Sequence, residues 1–246
     1  MTIKKYLIFL VLILFLFILI FTRSNRTVGR GVILWFDDGL KNSFDVAHPM
    51  MKEYNYVGVV SVIIDCVDGM FEDGKWRDKP CMNLTELRTL QGEGWEITSH
   101  TRTHPYMNNI SLNQAENEIV GSKNWIKDNL GFLPEAFVYP YGIIAYDDLV
   151  QKNYRFERTT DTNIWNGHET RIPVVFIKED ENWKADYWLK KIKEDGGFAV
   201  FLIHSIVDSP EGSWENTPEE FQSLLSNITA YNLRVVTLSE VAKLKD

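Results

Sequence analysis

The ten residues Gly31–Leu40, GVILWFDDGL, run from an apolar strand straight into two carboxylates and a glycine. Val32 to Phe36 are apolar and partly β-branched, as expected of a strand covered on both faces. Asp37 and Asp38 then repel one another, and a lone buried carboxylate resists ionisation. Something elsewhere in the chain must compensate for them.

Further β-rich apolar runs follow: YVGVVSVIID, GWEITSH, EAFVYPYG, YRFERTT, FAVFLIHSI and LRVVTL. Amphipathic stretches separate them. SLNQAENEIVGSKNWIKDNLGF is predicted to be a helix that starts at Ser111 as N-cap and stops at Gly131. NLTELRTLQGEG is a second helix with a glycine stop. Strand–helix alternation over residues 31–246 predicts a parallel α/β fold, either a barrel or an open sheet.

The polar residues that could carry chemistry fall at one end of these strands. Asp37 and Asp38 follow VILWF, His100 and His104 follow WEIT, Tyr141 follows FVYP, and His204 follows FAVFLI. In parallel α/β folds the carboxyl ends of the strands share one face, where sites gather. Four such segments fit a closed ring easily, which favours a barrel.

SHTRTH puts His100 and His104 at i, i+4, a spacing that presents both imidazoles on one side of a helical turn. With a carboxylate from another strand end they form a two-His, one-carboxylate set. Zinc uses such sets for catalysis with a coordination position left open. Non-haem iron uses similar ligands, so the metal is not fixed by the residues. A divalent cation would explain the aspartate pair. One carboxylate binds it, and its neighbour stays ionised as a general base. His204 is the candidate general acid, since histidine titrates near neutrality.

WFDDG, SHTRTH, YPYG and LIH, in this order and spacing, resemble successive motifs of the polysaccharide deacetylases, which include chitin, peptidoglycan and poly-N-acetylglucosamine deacetylases. The resemblance spans roughly residues 31–240. It implies an irregular (β/α) barrel of about seven strands and hydrolytic removal of acetyl groups from an N-acetylated glycan. It further implies Asp37 as the base, Asp38, His100 and His104 as ligands of a metal that is usually zinc, and His204 as the acid. Tyr141 would supply a backbone N–H to the oxyanion, and Leu202 would line the pocket for the acetyl methyl.

Two positions depart from the family pattern. Trp35 stands where Thr or Ser is usual, on the same side of its strand as Asp37. It is expected either as a packed core indole or as a sugar-stacking surface. Val138 stands where many members carry an arginine that orients the base; Arg171, in TRIPVV, is the candidate substitute. Trp214, shortly after His204, is a candidate substrate contact. His48, His168, Trp183 and Trp188 are read as structural or solvated.

Composition is that of an ordinary globular protein, 45% hydrophobic and 24% charged. Five of its 26 basic residues and none of its 34 acidic ones lie in the first thirty, leaving the remainder near −13. That argues against nucleic acid as partner, since binding its phosphates needs a basic surface. Tyr6–Phe21 has no polar side chain and would make a helix of roughly 24 Å, just short of a bilayer core of about 30 Å. Residues 1–30 are therefore expected to be an N-terminal transmembrane signal anchor and linker, with residues 31–246 as a catalytic domain on the extracytoplasmic side. A cleaved signal would make the domain secreted. Cys66 and Cys81 are spaced to permit a disulfide, though two free thiols fit equally well. Two other functions use the same residues: an O-acetyl esterase on a decorated polysaccharide, and a glycan-binding barrel without turnover.

Overall fold

A computed structural model describes residues 29–71, 79–177, 185–212 and 214–243. The anchor expected over Tyr6–Phe21, like Trp183, lies outside the described residues. Among the described residues no helix is long and apolar enough to cross a membrane.

Seven parallel strands form one sheet: β1 (Arg30–Phe36), β2 (Val59–Val62), β3 (Glu96–Ser99), β4 (Ala136–Val138), β5 (Phe156–Thr162), β6 (Arg171–Val174) and β7 (Gly197–Ile203). Spatial order runs β6-β5-β4-β3-β2-β1-β7. The two ends of the sheet meet where Val175, just past β6, bridges Phe201 of β7. Val175 N–H donates to Val200 at 2.8 Å and Leu202 N–H to Val175 at 2.9 Å, so the barrel is nearly closed.

Strand alternation sorts the side chains into two cores. Ile33, Trp35, Val59, Val138, Val200 and Leu202 share a cluster inside the ring. Val32, Leu34, Phe36, Val60, Ala199 and Phe201 pack outward against helix residues such as Leu87, Leu189 and Leu225. Both faces of β1 are therefore covered, which is why Val32–Phe36 reads as an unbroken apolar run.

The helices begin and end where their chemistry dictates. Leu84–Gly92 opens on an Asn83–Glu86 capping box. Leu112–Glu116 opens on a Ser111–Gln114 box and continues through the wider turn Asn117–Gly121 into Ser122–Leu130. That helix ends at Gly131, in the left-handed conformation at φ 83°.

One strand differs from expectation. Of the seven strands the one not expected is β6, Arg171–Val174; LRVVTL, expected as a strand, only bridges β1 through Val32 and Val235. Pro173 lacks an N–H and weakens the strand signal of RIPV. LRVVTL is apolar because Val236 and Leu238 cap the inner core.

Candidate active site

The carboxyl ends of β1, β3, β4 and β7 do converge. Asp37, Asp38, His100, His104, Tyr141, Leu202, His204 and Trp214 line one cavity of about 470 Å³. Four residues at this mouth hold left-handed backbone: Asp38, Thr101, His104 and Tyr141, at φ 67°, 68°, 59° and 58°. Such conformations cost of order 1–2 kcal/mol each outside glycine, and they persist only where the surroundings enforce them. Gly142, at φ 69°, must be glycine, because a Cβ there would run into Thr160 Oγ1.

Asp38, His100 and His104 bring one carboxylate oxygen and two ring nitrogens within 4.8 Å of one another. His100 Nε2 lies 3.4 Å and His104 Nε2 3.7 Å from Asp38 Oδ1. The outer nitrogens are committed elsewhere: His100 Nδ1 to the Val138 carbonyl at 2.9 Å, and His104 Nδ1 to the Tyr141 hydroxyl at 3.2 Å. Both Nε2 atoms are thereby turned toward Asp38. Both Asp38 oxygens are buried without a hydrogen bond of ordinary geometry. A buried carboxylate with open lone pairs between two imidazoles fits a divalent cation. Burial would raise the Asp38 pKa, but the neighbouring His100, His204 and His104 hold it well below the usual carboxylate range.

Asp37 is a different kind of carboxylate. Ser61 Oγ donates to its Oδ1 at 2.6 Å, and the Arg158 guanidinium forms an ion pair with its Oδ2. Burial acts to raise its pKa, yet Arg158, His100 and His204 together bring it below normal. His204 Nε2 is 3.9 Å from Asp37 Oδ2. Burial lowers the His204 pKa, opposed by the charges of Asp38 and Asp37. The Trp214 ring stands edge-on to His204 at 5.5 Å, walling that side of the cavity.

The expectation for Arg171 needs correcting, and of the two readings of Trp35 the packed core indole holds. Arg171 does not reach Asp37. It pairs in register with Glu157 on β5, bonding Glu157 Oε1 at 2.8 Å and Asp147 at 3.0 Å. Glu157 and Arg158 are adjacent in the strand, so they face opposite sides, and Arg171 follows Glu157 outward. Trp35 offers no sugar surface, because it is wholly buried inside the barrel. Its indole N–H approaches Ser61 Oγ at 3.4 Å, and the Arg158 guanidinium lies over its ring at 5.2 Å.

Arg158 is the residue that sequence reading missed. It is wholly buried and lies directly beside Val138 in the β4–β5 register. A signal existed: Phe156 is apolar and faces inward, so a period of two puts Arg158 inward as well. The bland residues behave as expected. His48 bonds Glu93 at 2.6 Å, His168 is exposed, and Trp188 is core.

Residues 24–157 match the family profile described as polysaccharide deacetylase. The poly-beta-1,6-N-acetyl-D-glucosamine N-deacetylase of Staphylococcus aureus (strain MRSA252) is 22% identical over 179 residues, covering 66% of this chain and 59% of that protein. The chain spans roughly half the length of the curated relatives it matches, 43% of one from Bacillus subtilis and 59% of the staphylococcal protein. Among solved structures, a T48 deacetylase with substrate superposes with a TM-score of 0.58 at 18% identity, over 89% of this chain and 93% of that one. A family 4 carbohydrate esterase from Streptomyces lividans in complex with acetate gives 0.58 at 17% identity, over 85% and 92%. At these identities the likeness to the solved structures is one of fold.

Proposed function

We propose, from the premise that this chain belongs to the polysaccharide deacetylase family, that it hydrolyses acetamide groups of an N-acetylated polysaccharide, yielding acetate and free amines. The observation that carries the reading is one cavity in which Asp37 and His204 flank the Asp38–His100–His104 cluster. The staphylococcal relative, named for poly-N-acetylglucosamine, supports that polymer class as substrate.

Asp38, His100 and His104 would hold a divalent cation, zinc in this proposal, which would supply Lewis-acid chemistry to the acyl carbonyl and the attacking water. The other roles belong to protein groups. Asp37, fixed at both oxygens by Ser61 and Arg158, takes the proton of that water. Tyr141 offers its backbone N–H to the oxyanion as the tetrahedral centre forms. Leu202 and Trp214 present apolar surface to the acetyl methyl and the sugar. The carbon–nitrogen bond breaks as His204 gives its proton to the departing nitrogen. Its lowered pKa makes the imidazolium a stronger acid for that step.

The same proposal puts the domain outside the cytoplasm, anchored by Tyr6–Phe21. The Cys66–Cys81 disulfide supports an oxidising compartment. The test is an acetate-release assay over N- and O-acetylated glycans, with metal chelated and then restored. Release from O-acetyl glycans alone would assign the chain an esterase activity instead.

A further inference from the structure

Arg171, turned away from Asp37, belongs to a cluster of titratable side chains behind the cavity wall. Its Nε donates to Glu157 Oε1 at 2.8 Å, and its Nη2 donates to both Asp147 oxygens at 3.0 Å. The Tyr139 hydroxyl lies between the same two carboxyls, 2.9 Å from Asp147 Oδ1 and 3.1 Å from Glu157 Oε2. Tyr139 lines the cavity, while its ring packs outside the barrel with Met107, Phe137 and Tyr154. It therefore joins the outer cluster to the site.

The proton count explains why these groups gather. Two carboxylates side by side repel, and a single arginine balances only one of them. Burial and a hydrogen bond with Asp147 push the Glu157 carboxyl up. Burial acts the same way on Asp147, but hydrogen bonds from Glu157 and Tyr139 and the Arg171 charge bring it down. Glu157 thus keeps the proton that the pair shares, and Asp147 carries the charge that Arg171 neutralises. Burial raises the Tyr139 phenol, which stays a donor. A polar network whose members are all satisfied in this way is rigid.

The cluster fixes both ends of one loop. Tyr139 opens the turn that carries Tyr141, and Asp147 closes the loop as the first residue of the helix Asp147–Asn153. Between them Tyr141 and Tyr146 hold left-handed backbone at φ 58° and 57°, which the surroundings must enforce. The anchor is the sheet itself, since Glu157 of β5 and Arg171 of β6 are paired in register. We propose that Glu157, Asp147 and Arg171 are positioning residues for deacetylation, acting through Tyr139 to hold the Tyr141 N–H where the oxyanion forms. The proposal rests on the deacetylase reading and adds the support of its oxyanion donor.

An oxyanion donor works only in the transition state, so a slack loop lowers kcat and leaves KM unchanged. The test measures both constants on the β-1,4- and β-1,6-linked tetramers of N-acetylglucosamine, for zinc-saturated full-length protein and its Arg171→Met, Glu157→Leu and Glu157→Gln variants. Arg171→Met and Glu157→Leu should lower kcat about tenfold with KM constant. Glu157→Gln, which keeps a neutral hydrogen-bonding group, should retain the wild-type kcat. The Arg171 side chain is 39% exposed, so Arg171→Met keeps its fold and carries the test if Glu157→Leu unfolds. An undiminished kcat in Arg171→Met, a loss carried by KM, or a Glu157→Gln variant as slow as Glu157→Leu overturns the clamp while leaving the deacetylase reading intact. A wild type that releases no acetate from either tetramer overturns the deacetylase reading, and the clamp with it.

Discussion

Arg158 and Asp37 form a buried ion pair across the barrel, from the middle of β5 to the end of β1. Arg158 sits beside Val138, the position where many family members carry their base-orienting arginine. The guanidinium is thus delivered to the same carboxylate from the next strand. Trp35, the other departure from the family pattern, lies under that guanidinium, so the two departures form one contact.

Removing this arginine should alter both stability and pH dependence. Arg158→Met leaves the Asp37 charge buried and unpaired, at a cost of about 3–5 kcal/mol, measurable by urea unfolding. Asp37→Asn in the same background should recover part of that loss. Asp37 must be ionised to accept a proton, and Arg158 is the largest influence lowering its pKa against burial. Without Arg158 the acid limb of the kcat/KM profile should therefore move to higher pH, and the rate should fall about 100-fold. An unmoved acid limb in folded Arg158→Met protein would show that Arg158 does not set the base.

Metal binding should stabilise the fold. The Asp38–His100–His104 cluster exists only in the folded chain, so zinc at 100 times its Kd contributes about 2.7 kcal/mol. For a domain of this size that raises Tm by about 5–10 °C. Asp38→Ala should abolish the shift, measured by differential scanning fluorimetry with and without chelator.

The leaving group should decide how much His204 matters. An amine departing from an amide needs a proton, whereas an alkoxide departing from an ester needs it less. His204→Ala is expected to reduce N-acetylglucosamine oligomer hydrolysis by about 100-fold or more and aryl acetate hydrolysis by much less. Equal losses on both substrates would remove His204 from the role of acid.

Reducing the disulfide should destabilise the domain. Cys66 and Cys81 close a loop of sequence separation 15, for which the chain-entropy contribution is about 3 kcal/mol. Cys66→Ser/Cys81→Ser protein should unfold at correspondingly lower urea concentration. The loop wall at Gly69 and Met70 should loosen first, read by hydrogen exchange.

Much of this was legible in the sequence because the barrel is covered on both faces. Six of the seven strands announce themselves as apolar runs, and their shared direction brings Asp37, His100, Tyr141 and His204 to one end. The β6 strand was hidden by Pro173, which has no N–H to give to a ladder. Arg158 was hidden because YRFERTT carries charges on both faces; its alternation with the apolar Phe156 is the one sequence signal that it points inward, and the register with Val138 bears this out. Arg171 misled because a lone arginine near an apolar strand looks like a partner for Asp37, whereas Glu157 opposes it directly. The Tyr106–Tyr141 stack joins the β3 and β4 loops, a contact that neither segment shows alone.

The most direct measurement is acetate released from poly-N-acetylglucosamine by wild-type and Asp37→Asn protein of equal fold and equal zinc content. The account predicts release by the wild type with matching free amines, loss on chelation, recovery with zinc, and at least about a 100-fold lower rate for Asp37→Asn. Release that persists undiminished in Asp37→Asn, or no release by zinc-loaded wild type, would contradict it.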